Sequence, residues 1–408
     1  MLTVLIMDGI YSEEDYYIPE NYSYYDNAYS YYDWFMESTT EDIVRKNINL
    51  YLPPVHLFAG TIGNIFAFIV LHRLTSKVLT TNLYLACLAV LDIVLILVRC
   101  SHVWLLELSN FDLTRKFTNR SNAACQVYSF CLHLIIHLDA WILALAVLES
   151  AILANKPLKA HNYCSKDRVV NILLLAILML VCVNAHFFWT YGLEPDYMNN
   201  TKVFCTFSTV GSHYSEYFRN IAWPIMDLLT SAVGPGCVIL GSCIHLFRRL
   251  CKQRRHTAMV ADNNSSASFS ILENTYLLDA GATHSFLIVC ATLGICSLVF
   301  NLPQTIYTTF EFILERFELH AYFSNLNINF YAQKQLGGVI CESIKDLFLS
   351  VKFIIYIAIW PRFRKELKIL FKKDKKLTNL VTDIPGNEIP SNQTMLCIDE
   401  EDAKALVT

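Results

Sequence analysis

Residues 82–106 read NLYLACLAVLDIVLILVRCSHVWLL, an apolar run of bilayer length with one acid, Asp92, near its middle. A helix rising about 1.5 Å per residue needs about 20 apolar residues to cross roughly 30 Å of hydrocarbon. Comparable stretches lie near 48–73, 124–153, 169–191, 221–247, 284–313 and 336–359. Lipid offers no partner for an unpaired N–H or C=O, so each stretch must be helical. The pattern predicts an all-α membrane protein, a bundle of seven transmembrane helices. Composition agrees, since 54% hydrophobic residues, 17% charged residues and a mean hydropathy of +0.37 are too apolar for an ordinary soluble domain.

The formal net charge of −4 hides an asymmetry. Basic residues gather at His72-Arg73 and Lys77, at Lys156, Lys159, Lys166 and Arg168, from Arg248 to Arg255, and from Arg362 to Lys376. By the positive-inside rule these segments and the C-terminus are cytoplasmic, and an odd number of crossings places the N-terminus outside. Residues 1–47, rich in Asp, Glu and Tyr, read as an extracellular disordered tail. The receptor-like core is expected over 48–360. Residues 361–373 form an amphipathic eighth helix, with Phe363, Leu367, Leu370 and Phe371 on one side and Arg/Lys on the other, suited to anionic membrane lipid. Residues 374–408 read as a disordered tail, and 248–283 as a cytoplasmic loop with a flexible linker at Asn263-Asn264-Ser265-Ser266. Sequons at Asn21, Asn119 and Asn199 fall on the outer side and are the expected glycosylation sites.

Of 14 cysteines, only Cys125 and Cys205 stand on clearly extracellular ground in this topology. An oxidising exterior would join them and tie the loop after the fourth helix over the bundle mouth. Lys202 to Phe207 alternates as a short strand, with Asn199-Asn200 as a turn.

Gly63-Asn64, Leu88-Ala89-Val90-Leu91-Asp92, Cys125 with Cys205, Lys156-Pro157-Leu158-Lys159-Ala160, Pro235, Pro303 and Tyr356 followed by Phe363-Arg364-Lys365-Glu366-Leu367 occur in order and at matching depths. Over nearly all of 48–372 the chain resembles a rhodopsin-like G-protein-coupled receptor, most closely an invertebrate neuropeptide receptor. The resemblance implies a plasma-membrane receptor for an extracellular peptide, signalling to a heterotrimeric G protein by helix rearrangement. Pro235 and Pro303 would bend their helices in mid-membrane, and Asn64 and Asp92 should face the interior.

Several positions depart from the family pattern. Where it has an acid, an arginine and an aromatic, this chain has Glu149-Ser150-Ala151. The sixth helix reads Phe300-Asn301-Leu302-Pro303 without the usual tryptophan, and Cys243 replaces a tyrosine. The coupling region, Glu149, Ser150 and Tyr356, therefore lacks the long cation that meets the G protein. Lys352 stands where an asparagine is usual. A charge at a helix centre costs roughly 2.5 to 3.5 kcal/mol, so it needs a partner. The family fold brings Asp92 and Asp139 to its level, which predicts a buried ion triad in the space where typical relatives hold sodium. The alternative is that Lys352 snorkels to the cytoplasmic surface.

In the outer half, the expected ligand-binding residues are His133, Asp227, Gln304, Tyr307, Glu311 and Glu342. Gln304, Tyr307 and Glu311 share one helical face, and the acids suit a basic peptide. Each could instead sit among headgroups and water. Leu132 occupies the position where amine receptors carry an acid, which favours a peptide over a monoamine. His133 and His137 share a face without a third ligand, so polar contacts within the bundle are expected rather than a metal. No phosphate loop, nucleophile-base pair or nucleic-acid signature is present, and no enzyme activity or cofactor is expected. Two rival readings remain: a ligand-binding decoy that does not couple, and a transporter or channel.

Overall fold

In a computed structural model of the protein, the described residues are 39–77, 81–155, 165–195, 203–208, 217–263, 271–316 and 330–382. The acidic tail with Asn21, the Lys156-Lys159 loop, the Asn199-Asn200 turn with its sequon, and the tail beyond 382 lie outside them. The chain divides into two units, residues 1–366 and 367–408.

The first unit opens with α1 (Thr40–Val55) and α2 (Thr61–Lys77), one rod joined through a π-helical turn, His56–Gly60. It starts ahead of the apolar stretch read from 48. The Thr39 side chain accepts from Asp42 N at 3.3 Å, and Asp42 in turn pairs with Arg45 and Lys46. These local partners satisfy donors that composition alone assigns to a solvated tail. The π turn begins one residue beyond Pro53-Pro54, whose missing N–H groups loosen the ladder.

Next come α3 (Asn82–Ser109), α4 (Leu113–Thr118) and α5 (Asn122–Asn155). Asn110 ends α3 in the left-handed region at φ 52°. Helix α6 (Lys166–Asn184) stops short of the apolar stretch, whose outer end becomes a turn, α7 (Phe187–Thr190), and then strand β1 (Tyr191–Pro195). Strand β2 (Val203–Phe207) pairs antiparallel with β1, with Leu193 opposite Cys205. The expected strand is present; its partner β1 takes in Tyr191, the last residue of the apolar stretch, and four residues beyond it.

A π turn (Phe218–Ala222), α8 (Trp223–Leu228) and a second π turn (Leu229–Val233) lead into α9 (Gly234–Asn263). The widening falls immediately before Gly234-Pro235, and Trp141 Nε1 donates to the freed carbonyl of Thr230 at 2.9 Å. A side chain at Gly234 would place Cβ 2.7 Å from Leu229 O and 3.2 Å from the Trp141 ring, so this approach needs glycine. Helix α10 (Ile271–Arg316) passes through Pro303 unbroken, and α11 (Phe330–Ile359) and α12 (Pro361–Thr382) follow. Most of the loop expected over 248–283 is thus helix, because these residues are good helix formers, which a reading by polarity overlooks. In the second unit, residues 367–382 continue α12.

Among the described residues six rods are long and apolar enough to cross a membrane: Thr40–Thr75, Asn82–Ser109, Asn122–Asn155, Lys166–Thr190, Phe218–Lys252 and His284–Leu314. Helix α11 has comparable length but carries Lys334, Glu342, Lys345, Asp346 and Lys352. The rods form a ring: α1 and α2 pack on α3, α3 on α5, α9 on α10, α10 on α11, and α11 back on α1 and α2. Helix α5 runs through the middle, touching α3, α6, α9 and α10. Polarity is inverted relative to a water-soluble protein. Leu174, Leu178, Met179, Phe247 and Ile354 are exposed, while Asn64, Asp92, His137, Asn184 and Lys352 are buried. Such an exterior calls for an apolar solvent. The observation supports a membrane-embedded protein.

Candidate functional site

The hairpin closes one end of the bundle. Cys125 of α5 and Cys205 of β2 are disulfide-bonded, as the cysteine distribution suggested. Asn122 Oδ1 accepts from Leu193 N at 2.8 Å, Gln126 Nε2 donates to Tyr191 O at 3.0 Å, and Arg115 lies 4.2 Å above the Phe204 ring. Asn119, an expected glycosylation site, donates through Nδ2 to Val203 O. With these lesser contacts left intact, Cys125→Ser or Cys205→Ser should still cost about 2–4 kcal/mol and sharply reduce surface expression. Surface labelling of tagged cells would check this; two serine variants at wild-type levels would contradict it.

Beneath the hairpin lies a layer of rings and histidines. Phe187, Tyr191 and Trp223 pack with Cys125. His133 lies 4.4 Å from the Phe187 ring centroid and donates through Nδ1 to Ser129 O at 2.9 Å. His186 sits 4.0 Å from Trp223 and 4.3 Å from Phe187. Asn184 Nδ2 donates to Leu180 O and to His137 Nδ1, which makes Nδ1 an acceptor and leaves the proton on Nε2. That N–H donates to Asp227 Oδ1 at 3.0 Å. His133 and His137 thus serve different partners. Among the described residues no group of three or more His, Cys, Asp or Glu is placed to hold a metal.

Across the bundle, α10 and α11 are clasped. Tyr307 donates to Glu311 Oε1 at 2.7 Å, and Lys334 pairs with the same oxygen at 3.5 Å. Glu311 is 2% exposed. Gly338 admits the phenol, since a Cβ there would stand 2.8 Å from Tyr307 Oη. Tyr307 and Glu311, like His133 and Asp227 above, are therefore engaged within the protein. The six do not converge as one wall. Asp227 and His133 belong to the ring layer, Tyr307 and Glu311 to the clasp, and Glu342 lies within Coulomb range of Arg99 and Lys345. Gln304 is half-buried, with its Oε1 lacking a hydrogen bond among the described residues.

Below runs a set of charges that the sequence analysis did not single out. Arg99 Nε is 3.3 Å from Asp346 Oδ1, and Cys100 Sγ is 3.9 Å from Asp346 Oδ2. Lys345 makes no ion pair within 4.0 Å among the described residues, yet feels Asp346, Asp139, Glu342 and Asp227 together. The cost rule that exposed Lys352 applies equally to Arg99, Lys345 and Asp346, and would have found them.

Lys352 turns inward. Its Nζ lies 2.7 Å from Asp92 Oδ1, 3.5 Å from Asp139 Oδ1 and 4.8 Å from the Phe348 ring centroid. Lys352 and Asp92 are each 1% exposed and Asp139 16%, so the ammonium does not snorkel. Asn64 supports α11 from beside it, donating to Gly60 O and Leu349 O, both at 3.0 Å. Further along, Ser150 donates to Ala146 O at 2.7 Å, Thr81 donates to Glu149 Oε1 at 3.1 Å, and Tyr356 packs on Trp360 and Phe363. No protein-family model matches the chain, and no curated protein matches it.

Proposed function

We propose that the protein is a rhodopsin-like receptor of the plasma membrane for an extracellular basic peptide, with α11 as its seventh crossing and α12 as an eighth helix on the inner leaflet. The polar, charged interior beneath the disulfide-pinned hairpin carries this reading. It offers a ligand both rings and acids while the exterior stays apolar. Asp227, Glu342 and Asp346 gather in this region with Arg99 and Lys345, so acids as well as cations stand in the interior. Carboxylates of this kind suit a lysine or arginine side chain of a ligand. Charges on α11 keep it out of the six apolar rods, but Asp346 and Lys352 face partners on α3 and α5, as charged residues in a crossing helix must.

The test is a screen of secreted peptides against cells displaying the receptor, scored for surface binding. Basic peptides should bind, and Glu342→Gln or Asp227→Asn should weaken them at least tenfold, the loss of about one charge-assisted hydrogen bond. Binding indifferent to both substitutions, or solute flux without peptide binding, would refute the proposal. A second reading, a receptor that binds without coupling, is favoured by Ser150, which is buried and bonded to its own helix.

A further inference from the structure

The inverted polarity of the rods extends to a helix too short to cross a membrane. Helix α4 runs only from Leu113 to Thr118; Asn110 to Asp112 tie it to the end of α3, and Asn119 to Ser121 to the start of α5. Links so short keep it at the ends of two apolar rods, on the hairpin side of the bundle. The face it turns to α5 is polar. Thr118 is 3% exposed and donates to Thr114 O at 3.0 Å, and the Thr114 hydroxyl meets Tyr128 Oη at 3.2 Å. The outward face is apolar. Leu113 and Phe117, one helical turn apart and so on the same side, are exposed, Phe117 by half. Phe111 is exposed as well, with Lys116 4.8 Å from its ring centroid. A helix facing water would bury Leu and Phe and expose Thr.

Polar contacts with three other elements hold α4 in this orientation. Asp112 caps it, Oδ1 accepting from Arg115 N at 2.7 Å, and lies 3.7 Å from His102 of α3. Thr114 meets α5 through Tyr128, and Arg115 and Asn119 reach Phe204 and Val203 of β2.

The neighbours of the apolar face indicate what covers it. Exposed apolar side chains line the ends of both adjoining rods, Leu106 and Leu108 on α3 and Val127 on α5, so Leu113 and Phe117 continue the apolar exterior of the bundle. At the same end Trp189 of α7 is 70% exposed, and Tyr217, immediately ahead of the π turn at Phe218, is exposed too. Tryptophan and tyrosine gather where hydrocarbon gives way to headgroups. Exposed Lys116 and Arg120 add cations suited to phosphate at that level.

We propose that α4 is an interfacial helix, seated between the acyl chains and headgroups of the leaflet on the hairpin side, with phospholipid as the partner of its outward face. Acyl chains cover Leu113 and Phe117, and phosphate oxygens accept from Lys116. The bilayer then holds one face of α4 while β2 holds another, which ties the position of the hairpin to the membrane surface. This stands whether or not the protein is a receptor.

The test places the photoreactive amino acid p-benzoylphenylalanine at Phe117, and in a second variant at Leu113, in the full chain reconstituted in phosphatidylcholine vesicles. The same replacement at Leu178, exposed on α6, sets the yield expected of a lipid-facing position. After irradiation, mass spectrometry should find a phosphatidylcholine adduct at 117 and at 113, as at 178. Should one variant fail to fold, the other decides. Crosslinks to a second copy or to another segment of the same chain would assign the face to protein. Absence of any adduct at both positions, while 178 takes lipid, would assign it to water. Either result overturns the proposal.

Discussion

Lys352→Asn should destabilise the protein by about 3–5 kcal/mol and make its stability depend on sodium, whereas the wild type should be indifferent to that ion. Removing one partner of a buried ion pair leaves uncompensated charge, and here the ammonium at 2.7 Å from Asp92 is the partner removed. Asparagine is shorter than lysine, so the variant also opens space between two acids, into which a small cation can enter. A cation that binds only the folded state then stabilises it by mass action. Melting in detergent, in sodium or choline at constant ionic strength, would measure both effects. A variant within about 1 kcal/mol of wild type would show that the pair contributes little. Ligand affinity, once a ligand is known, should follow the same pattern.

G-protein activation should be weak or absent in the wild type, and Ser150→Arg should raise it by an order of magnitude or more. Ser150 is buried and spends its hydroxyl on Ala146 O, and Glu149 is engaged by Thr81. Small residues close this end of the bundle. A Cβ added at Gly294 of α10 would lie 2.7 Å from Cys243 Sγ and 3.3 Å from Val147, so α5, α9 and α10 are in near contact. An arginine at 150 has no room unless α10 moves outward. Substitution therefore both supplies a long cation and disfavours the closed packing. Hydrogen bonds to charged groups are worth about 1.5–3 kcal/mol, enough for a tenfold gain in G-protein affinity. Cys243→Tyr would be needed as well if the partner hydroxyl limits the response. Nucleotide exchange in membranes carrying wild type and both variants, with ligand bound, reads the result. Robust wild-type exchange unchanged by Ser150→Arg would assign the protein to ordinary signalling receptors.

Much was legible along the chain because it rests on local rules. Bilayer-length apolar runs require helices wherever lipid is the solvent, and among the described residues six of the seven reappear as rods long and apolar enough to cross a membrane. The Cys125–Cys205 pairing follows from which compartment each cysteine reaches. Lys352 announced itself because an isolated cation in an apolar helix is costly, and its partners were sought among acids at the same depth. What periodicity provides is the face a residue occupies on its own helix. It says nothing of what stands opposite.

The tertiary structure decided those opposite partners. Tyr307 and Glu311 share a face as expected, yet Lys334 and Gly338 of α11 draw them into a clasp instead of leaving them to a ligand. Asp227 meets His137, which Asn184 holds in a single tautomer, a relation among three separate helices. Strand β1, not foreseen along the chain, forms where β2, tied to α5 by the disulfide, offers it a ladder. Helix formation in lipid is set by the chain's own apolarity and backbone, so sequence alone determined it. Charge pairing depends on distances of a few ångströms between remote segments, and only the packed bundle brings Asp92, Asp139 and Lys352 to one point.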